Sequence, residues 1–281
     1  MKNILLPTDF SQNAENAIEY ALFFAEKTNA NIKIFHSYKI DIPITDDVTT
    51  NQLRLWEEEE ETEAVEKMHE VVKRLKEKTN TDPAISYEAR RGNLPDHIQE
   101  KIAENNLDLL IMGTKGSGNI RNRFFGSNSA DALKIASIPV LLIPEKAKFH
   151  NLKHIVYATE YQYADVQAIQ NLIELGIKFD ATITILHISK VKDQAEQELY
   201  QTRYKRMIEK YFDYDKLNYK VFKSSDISGS LSKFVKDQQG HLLSMSTKNR
   251  NVWQRLFDKS MTENMAYQTE VPLLAFKARQ R

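Results

Sequence analysis

The 281-residue chain has no cysteine. Disulfide frameworks, thiolate metal sites and thiol redox chemistry are therefore excluded for these residues. Lysine plus arginine and aspartate plus glutamate both number 39, so the formal net charge is zero. This balance gives no reason to expect nucleic acid or an anionic membrane as a partner. The seven histidines show no metal-ligand spacing.

Long hydrophobic runs are also missing. No stretch approaches the roughly 18 uninterrupted apolar residues that suggest a transmembrane helix. Residues 1–7 contain only three consecutive apolar residues before Pro7, which is not the pattern of a signal peptide. From these features we expect a cytoplasmic protein.

Glycine is scarce, and half of it is concentrated in one place. Only eight glycines occur, yet Gly113, Gly116, Gly118 and Gly126 lie close together. An apolar run precedes them and a helical pattern follows. Glycine lets backbone amides approach an anion without a side chain between them, and a helix start adds N–H groups and a positive dipole end. The segment therefore predicts a phosphate site, with an ordinary turn as the alternative.

This glycine segment differs from the two best-known phosphate loops. It lacks the Gly-x4-Gly-Lys-Ser/Thr pattern of a P-loop. It also lacks the third glycine of a dinucleotide fingerprint. Lys115, Arg121 and Arg123 could neutralise a triphosphate or form a solvated basic loop, and we leave them outside the predicted site.

The chain repeats itself. Two early segments recur at an offset of 151 residues, and two later segments recur at an offset of 133. The change in offset means that the first copy carries 18 extra residues in its middle. A tandem duplication with a boundary near residues 145–152 follows. The matched segments are 4–9 with 155–160, 31–36 with 182–187, 109–115 with 242–248, and 138–142 with the start of 271–276.

Each copy alternates short apolar runs with helical patterns. Continuous apolar runs suit parallel strands that are covered on both faces. Strand–helix alternation is typical of βαβ units with right-handed crossovers. We therefore expect an α/β fold with an open parallel sheet in each copy.

Three motifs together resemble the universal stress protein family. Residues 4–11 resemble its opening strand, and residues 138–144 resemble its closing strand. The spacing Gly113-x-x-Gly116-x9-Gly126-Ser127 matches the family's ATP-binding motif without a gap. The resemblance implies two Rossmann-like domains of the adenine nucleotide alpha hydrolase type, at residues 1–147 and 151–281. Each would be a five-stranded parallel sheet of order 3-2-1-4-5 flanked by helices.

The same resemblance implies a site for ATP, with or without Mg²⁺. Ligands of doubly wound sheets lie beyond the carboxyl ends of the strands that flank the switch in strand order. Asp9 follows the first strand and is implied to contact the nucleoside, although helix capping is an equal alternative. The other implied contacts are Thr8 and Ser37 near the base, Met112 and Gly113 near the ribose and phosphates, and Gly116, Gly126, Ser127, Asn128 and Ser129 at the phosphates.

The second copy has lost these features. Ser246 and Asn249 stand where Gly113 and Gly116 stand, and Asp258 replaces Gly126. A carboxylate beside a triphosphate adds like-charge repulsion. We therefore predict one nucleotide per chain, bound by the first copy. The resemblance further implies that the closing strands pair within one chain as a pseudo-dimer, and a homodimer of chains stays open.

No paired acid and base, nucleophile elbow or metal cluster indicates an enzyme. The sequence thus favours an ATP-binding regulatory or stress-response protein without catalytic turnover, although slow ATP hydrolysis stays open. The alternative is a nucleotide-free interaction module that binds a protein or an apolar ligand. The degenerate second copy and a long helix carrying five glutamates at 57–61 favour that alternative somewhat. An adenylate-forming or pyrophosphatase enzyme is disfavoured. Related sheets with that chemistry usually carry a Ser-Gly-Gly phosphate loop after the first strand, whereas residues 7–11 contain no glycine.

Overall fold

A computed structural model describes residues 1–40, 49–79, 83–104, 106–114, 126–189, 194–246 and 271–277. These residues divide into two compact units. Unit 1 holds the described residues up to Phe149, and unit 2 holds those from His150 onward. Both units alternate strands with helices, so the predicted α/β class is confirmed.

Unit 1 contributes five strands and four helices to the described part of the chain. In chain order they are β1 (Asn3–Thr8), α1 (Gln12–Thr28), β2 (Asn31–Tyr38), α2 (Thr50–Lys78), β3 (Ile85–Arg91), α3 (Leu94–Ala103), β4 (Leu109–Gly113), α4 (Ser127–Ile135) and β5 (Val140–Ile143).

The strands of unit 1 are parallel and follow the order β3-β2-β1-β4-β5. β1 and β4 are neighbours, with Ile4 opposite Leu109. Their carboxyl ends therefore meet at the point where the strand order reverses. Strands β1, β4 and β5 are almost entirely buried, as their continuous apolar runs predict, whereas β3 at the edge is half exposed.

Local signals explain where the first two helices begin and end. The Ser11 hydroxyl accepts a bond from the Ala14 amide and so caps the start of α1. Asn29 ends α1 in the left-handed conformation, with φ of 53°, which asparagine tolerates better than most residues. Thr49 and Gln52 form a capping box at the start of α2.

Unit 2 contributes five more strands and three helices to the described part. They are β6 (His154–Ala158), α5 (Asp165–Phe179), β7 (Thr182–Ser189), α6 (Gln194–Tyr211), β8 (Leu217–Lys223), α7 (Ile227–Asp237), β9 (Leu242–Ser246) and β10 (Leu273–Phe276).

The parallel pairings of unit 2 give the order β8-β7-β6-β9-β10. The register repeats that of unit 1. His154 pairs with Thr182, as Asn3 pairs with Asn31, and both partners lie 151 residues further along the chain. A repeat in sequence thus corresponds to a repeat in strand pairing.

The largest difference between the units is the helix after the second strand. α2 has 29 residues and α6 has 18. The 57–61 glutamates lie in the amino-terminal half of α2, as predicted. No residue of 50–63 is buried, and the buried face of α2 begins at Ala64. The added turns therefore lie beyond the part of α2 that packs on the sheet.

Candidate functional site

The loop after β1 is held by its own side chains. The Thr8 hydroxyl accepts a hydrogen bond from the Phe10 amide at 3.0 Å. The Asp9 carboxylate accepts from the Ser11 amide at 3.1 Å and from the Ser11 hydroxyl at 2.6 Å. Asp9 therefore orders the residue that caps α1. The structure thus shows a capping role for Asp9, and its contact with a nucleoside stays a prediction.

Phe10 is an unusual residue for this loop. Its φ is 58°, a left-handed conformation that is rare for a bulky side chain. Its ring packs on His36, with ring centroids 4.6 Å apart. His36 donates from Nδ1 to the Thr8 carbonyl at 2.7 Å. The ring contact and the hydrogen bond together hold the strained loop at the carboxyl end of β1. The left-handed conformation of Phe10 was not predicted from the sequence.

Gly113 ends β4 and faces the first turn of α1. A Cβ atom at this position would lie 3.0 Å from the side-chain amide and from the backbone oxygen of Asn13. The Gly113 carbonyl accepts a hydrogen bond from the Ser129 hydroxyl at 2.8 Å. A side chain at position 113 would therefore fit only if Asn13 shifted by a few tenths of an ångström, and the Ser129 bond connects β4 directly to α4.

The start of α4 presents backbone amides. Gly126 is its N-cap and has no side chain to cap the helix. The Gly126 amide donates to the Thr114 carbonyl at 2.7 Å, which holds the helix start beside the end of β4. Ser127 and Asn128 are exposed, whereas Ser129 is buried. The first turn of a helix has amides without intrahelical partners, so this end of α4 suits an anion.

Of the remaining predicted site residues, the structure describes Ser37 and Met112 but not Gly116. The Ser37 hydroxyl donates to the Gly92 carbonyl at 2.7 Å, so its hydrogen is already used within the fold. Met112 is buried at the end of β4. Gly116 lies outside the described residues, as do Lys115, Arg121 and Arg123. The structure thus brings Thr8, Asp9, Gly113 and the start of α4 to the same edge of one sheet.

The Ser129 hydroxyl has a positioning role that can be tested. We expect Ser129→Ala to lower the free energy of unfolding by about 1–2 kcal/mol, because the half-buried Gly113 carbonyl loses the Ser129 hydroxyl as a donor. The Ser129 backbone amide remains, so any nucleotide affinity should fall less than in a Gly113 variant. Urea unfolding and ATP titration measure the two effects. An unchanged unfolding free energy would contradict this role.

Unit 2 repeats the strained loop. Tyr161 occupies the position of Phe10 with the same φ of 58°. Its ring stacks on His187 at 4.2 Å between centroids. His187 donates from Nδ1 to the Thr159 carbonyl at 2.8 Å. The pairs Phe10–His36 and Tyr161–His187 are separated by 151 residues, which is the signal that could have revealed this feature.

A buried polar network distinguishes unit 2 from unit 1. Asp165 is 1% exposed and stands where Ala14 stands in unit 1. Its carboxylate accepts hydrogen bonds from Tyr157 at 2.8 Å, Thr159 at 2.6 Å and Tyr204 at 3.0 Å. The Gln162 backbone amide also donates to the Asp165 carboxylate, at 3.2 Å. This network was not predicted from the sequence, although the offset of 151 residues aligns Tyr157 with Leu6 and Asp165 with Ala14.

Burial shifts the pKa values of several titratable groups in unit 2. Burial, and then the Asp165 charge, raises the pKa of Glu160. Burial raises the pKa of Tyr161 to about 12. Burial lowers the pKa of His187, and the bond to the Thr159 carbonyl opposes this only in part. Burial, His150 and His154 lower the pKa of His241.

The depressed pKa of His187 predicts a pH dependence of unit 2. Below the ordinary value of 6.5 the unfolded chain takes up a proton that the folded chain resists. Stability should therefore fall as the pH drops from about 6.5 towards 5.5. His187→Phe keeps a ring against Tyr161 and removes the titrating group, so its stability should vary less over this range. Equal pH slopes in urea unfolding of the two proteins would refute the assignment.

The position matching Gly113 in unit 2 is Ser246, at the end of β9. Its side chain is buried. Asn249 and Asp258, the other predicted losses of the second copy, lie outside the described residues. Within the described residues, no group of three or more histidine, cysteine, aspartate or glutamate side chains could hold a metal ion. None of the described helices is long and apolar enough to cross a membrane.

Solved structures share this fold across almost the whole chain. A universal stress protein from Archaeoglobus fulgidus is 15% identical with a TM-score of 0.68, and the match covers 98% of this chain and 96% of that one. A functionally unknown protein from Pseudomonas aeruginosa is 12% identical with a TM-score of 0.61, covering 99% and 93%. The cytoplasmic domain of a prokaryotic cation chloride cotransporter is 10% identical with a TM-score of 0.53, covering 98% and 94%.

These likenesses show the fold alone, because a universal stress protein and a cotransporter domain share it. No curated protein matches the chain. The family is shown by sequence instead. The model of the universal stress protein family matches residues 1–144, which hold the strained loop after β1, the end of β4 and the start of α4. The chain belongs to the universal stress protein family.

Proposed function

We propose that the protein is an ATP-binding regulator of the stress response, with its nucleotide held by unit 1. The observation that carries the proposal is the first turn of α4. Its N-cap is a glycine, its amides lie beside the end of β4, and no cap side chain blocks them. This start of a helix offers the partial positive charge and N–H donors that phosphates require.

The other contacts follow from the same edge of the sheet. Ser127, Asn128 and Ser129 would hold phosphates through backbone amides, together with Gly116. The Gly126 amide stays bonded to the Thr114 carbonyl, so Gly126 would contribute by leaving room for the phosphates where a side chain would stand. Asp9 would contact the ribose through its carboxylate, which also holds Ser11 through Oδ1. Thr8, Ser37 and Met112 would contribute backbone at the nucleoside. Mg²⁺, where present, would be held by the phosphates, because the described residues supply no cluster for it.

Unit 2 would be a structural partner without nucleotide. Ser246 replaces Gly113, and the interior beneath the loop of unit 2 is filled by the hydrogen-bonded Asp165 network. We take the two units to be the two domains of a tandem protein, at 1–147 and 151–281. Catalytic turnover is not expected, since the described part of the site contains no paired acid and base beside the proposed phosphates, although slow ATP hydrolysis stays open.

The first experiment asks what accompanies the protein. The purified chain is denatured and its supernatant examined by mass spectrometry for adenine nucleotides, and ATP is then titrated into the ligand-free protein by calorimetry. We expect ATP to be recovered or to bind. A Kd of about 1 mM corresponds to a binding free energy of roughly −4 kcal/mol. If no adenine nucleotide binds even this weakly, the proposal is overturned and an interaction module is favoured.

A further inference from the structure

The outer face of α2 carries an acidic stripe. Leu55, Glu59, Thr62 and Glu66 follow a spacing of four, three and four residues, so they lie on one side of the helix. At 3.6 residues per turn this side is about 180° from the buried face that contains Ala64 and Met68. Leu55 is 45% exposed. Neither glutamate has an ion-pair partner among the described residues.

The outer face of α6 carries a basic stripe with the same spacing. Its members are Leu199, Arg203, Arg206 and Lys210, and Leu199 is 48% exposed. This side of α6 is also about 180° from its buried face, which contains Tyr204 and Ile208. In the described part of the chain, the two arginines and Lys210 make no ion pair.

The two stripes are complementary at three of their four positions, by two opposite-charge pairs and one pair of leucines. A shift of 144 residues places Leu55 on Leu199, Glu59 on Arg203 and Glu66 on Lys210, with Thr62 on Arg206. Each stripe thus offers one exposed leucine and charges of one sign, opposite in the two helices. Complementary charge of this kind steers association and sets register.

We propose that α2 of one copy of this chain docks along α6 of a second copy. Each chain carries both stripes, so either copy of a pair can supply α2 while the other supplies α6. The contact is mostly charged and exposed, so the association is weak and decreases as salt increases. The occupant is a second copy because the matching charge pattern lies on this chain itself.

Charge reversal tests the proposal without touching the folded interior. Variant A carries Glu59→Lys and Glu66→Lys, and variant B carries Arg203→Glu and Lys210→Glu. Sedimentation velocity is run from about 1 to about 200 μM protein at low salt, near 0.05 M. The wild type should associate as its concentration rises. Variants A and B, each alone, should associate at least about tenfold more weakly, because like charges then face each other.

Mixing the two variants gives the decisive result. Both stripes of variant A are basic and both stripes of variant B are acidic, so an A–B pair is complementary at each contact. The mixture should regain association. The control Glu145→Lys with Glu174→Lys changes the net charge as variant A does, away from both stripes, and should behave as wild type. A monomeric wild type at all concentrations, or a mixture no more associated than its components, would overturn the proposal.

Discussion

Gly113→Val is expected to weaken ATP binding by roughly a hundredfold or more. The Cβ alone would lie 3.0 Å from the side-chain amide and backbone oxygen of Asn13, and valine adds two methyl groups beyond it. Either the end of β4 or the first turn of α1 must move. β4 is bonded through the Gly113 carbonyl to Ser129, so the movement also displaces the start of α4.

The size of this effect follows from the bonds that would be lost. Hydrogen bonds to a charged group contribute about 1.5–3 kcal/mol each. Misplacing two of the proposed amide–phosphate bonds would cost about 3 kcal/mol or more, and each 1.4 kcal/mol is a factor of ten in affinity. Calorimetric titration of ATP measures this directly. Adding Gly126→Val should remove the remaining affinity.

Two controls separate a lost site from a lost fold. Gly113→Ala introduces the close contact without the extra methyl groups, so its affinity should fall between wild type and the valine variant. Ser246→Ala changes the matched position of unit 2 and should leave ATP affinity unchanged. Circular dichroism confirms that each variant is folded. A folded Gly113→Val protein that binds ATP as tightly as wild type would refute the site.

Asp165→Ala is expected to give the largest loss of stability, roughly 3–5 kcal/mol. The carboxylate accepts bonds from three buried hydroxyls and one amide. Its removal leaves Tyr157 and Tyr204 without their acceptor in the interior, and each unsatisfied buried group costs about 1–3 kcal/mol. The small alanine also leaves a cavity. Urea unfolding, followed by a probe in unit 2, measures the change.

A compensated variant tests whether hydrogen bonding is the cause. Asp165→Ala combined with Tyr157→Phe and Tyr204→Phe removes the stranded hydroxyls, so it should be more stable than Asp165→Ala alone. Asp226→Ala, which removes an exposed cap of α7, should cost only about 1 kcal/mol. A triple variant less stable than the single one would contradict the explanation.

The strand framework was predictable because it depends on short-range pattern. The buried strand β10, Leu273–Phe276, lies within the matched segment 271–276, and β4, Leu109–Gly113, begins at the start of the matched segment 109–115. The repeat at 151 residues predicts the matching registers of β1–β2 and β6–β7. The glycines at 113 and 126 were correctly placed at a strand end and at a helix start.

Features that depend on tertiary contact were not predictable. Nothing local requires Phe10 to take a positive φ, which is held by packing on His36. Gly113 was interpreted as an approach point for an anion, whereas its contact with Asn13 lies between elements distant in sequence. Ser129 was assigned to phosphate, but its hydroxyl is used within the fold, and only its amide is left for that role.

Asp165 shows a different limit. Aspartate in the first turn of a helix is usually an exposed charge that favours the helix dipole. Here it is buried, because Tyr157 from β6 and Tyr204 from α6 converge on it. Comparison of the two copies could have marked the position, since alanine replaces aspartate in the first copy, but only the structure shows the donors together.

Whether unit 1 alone holds an adenine nucleotide is decided by the number of ATP sites per chain. Calorimetric titration of ATP into the ligand-free chain counts these sites through its stoichiometry. We expect one site per chain in the wild type and in Ser246→Ala, and none in the variant with Gly113→Val and Gly126→Val. Two sites per chain, or a site that survives both glycine substitutions in a folded protein, would contradict this expectation.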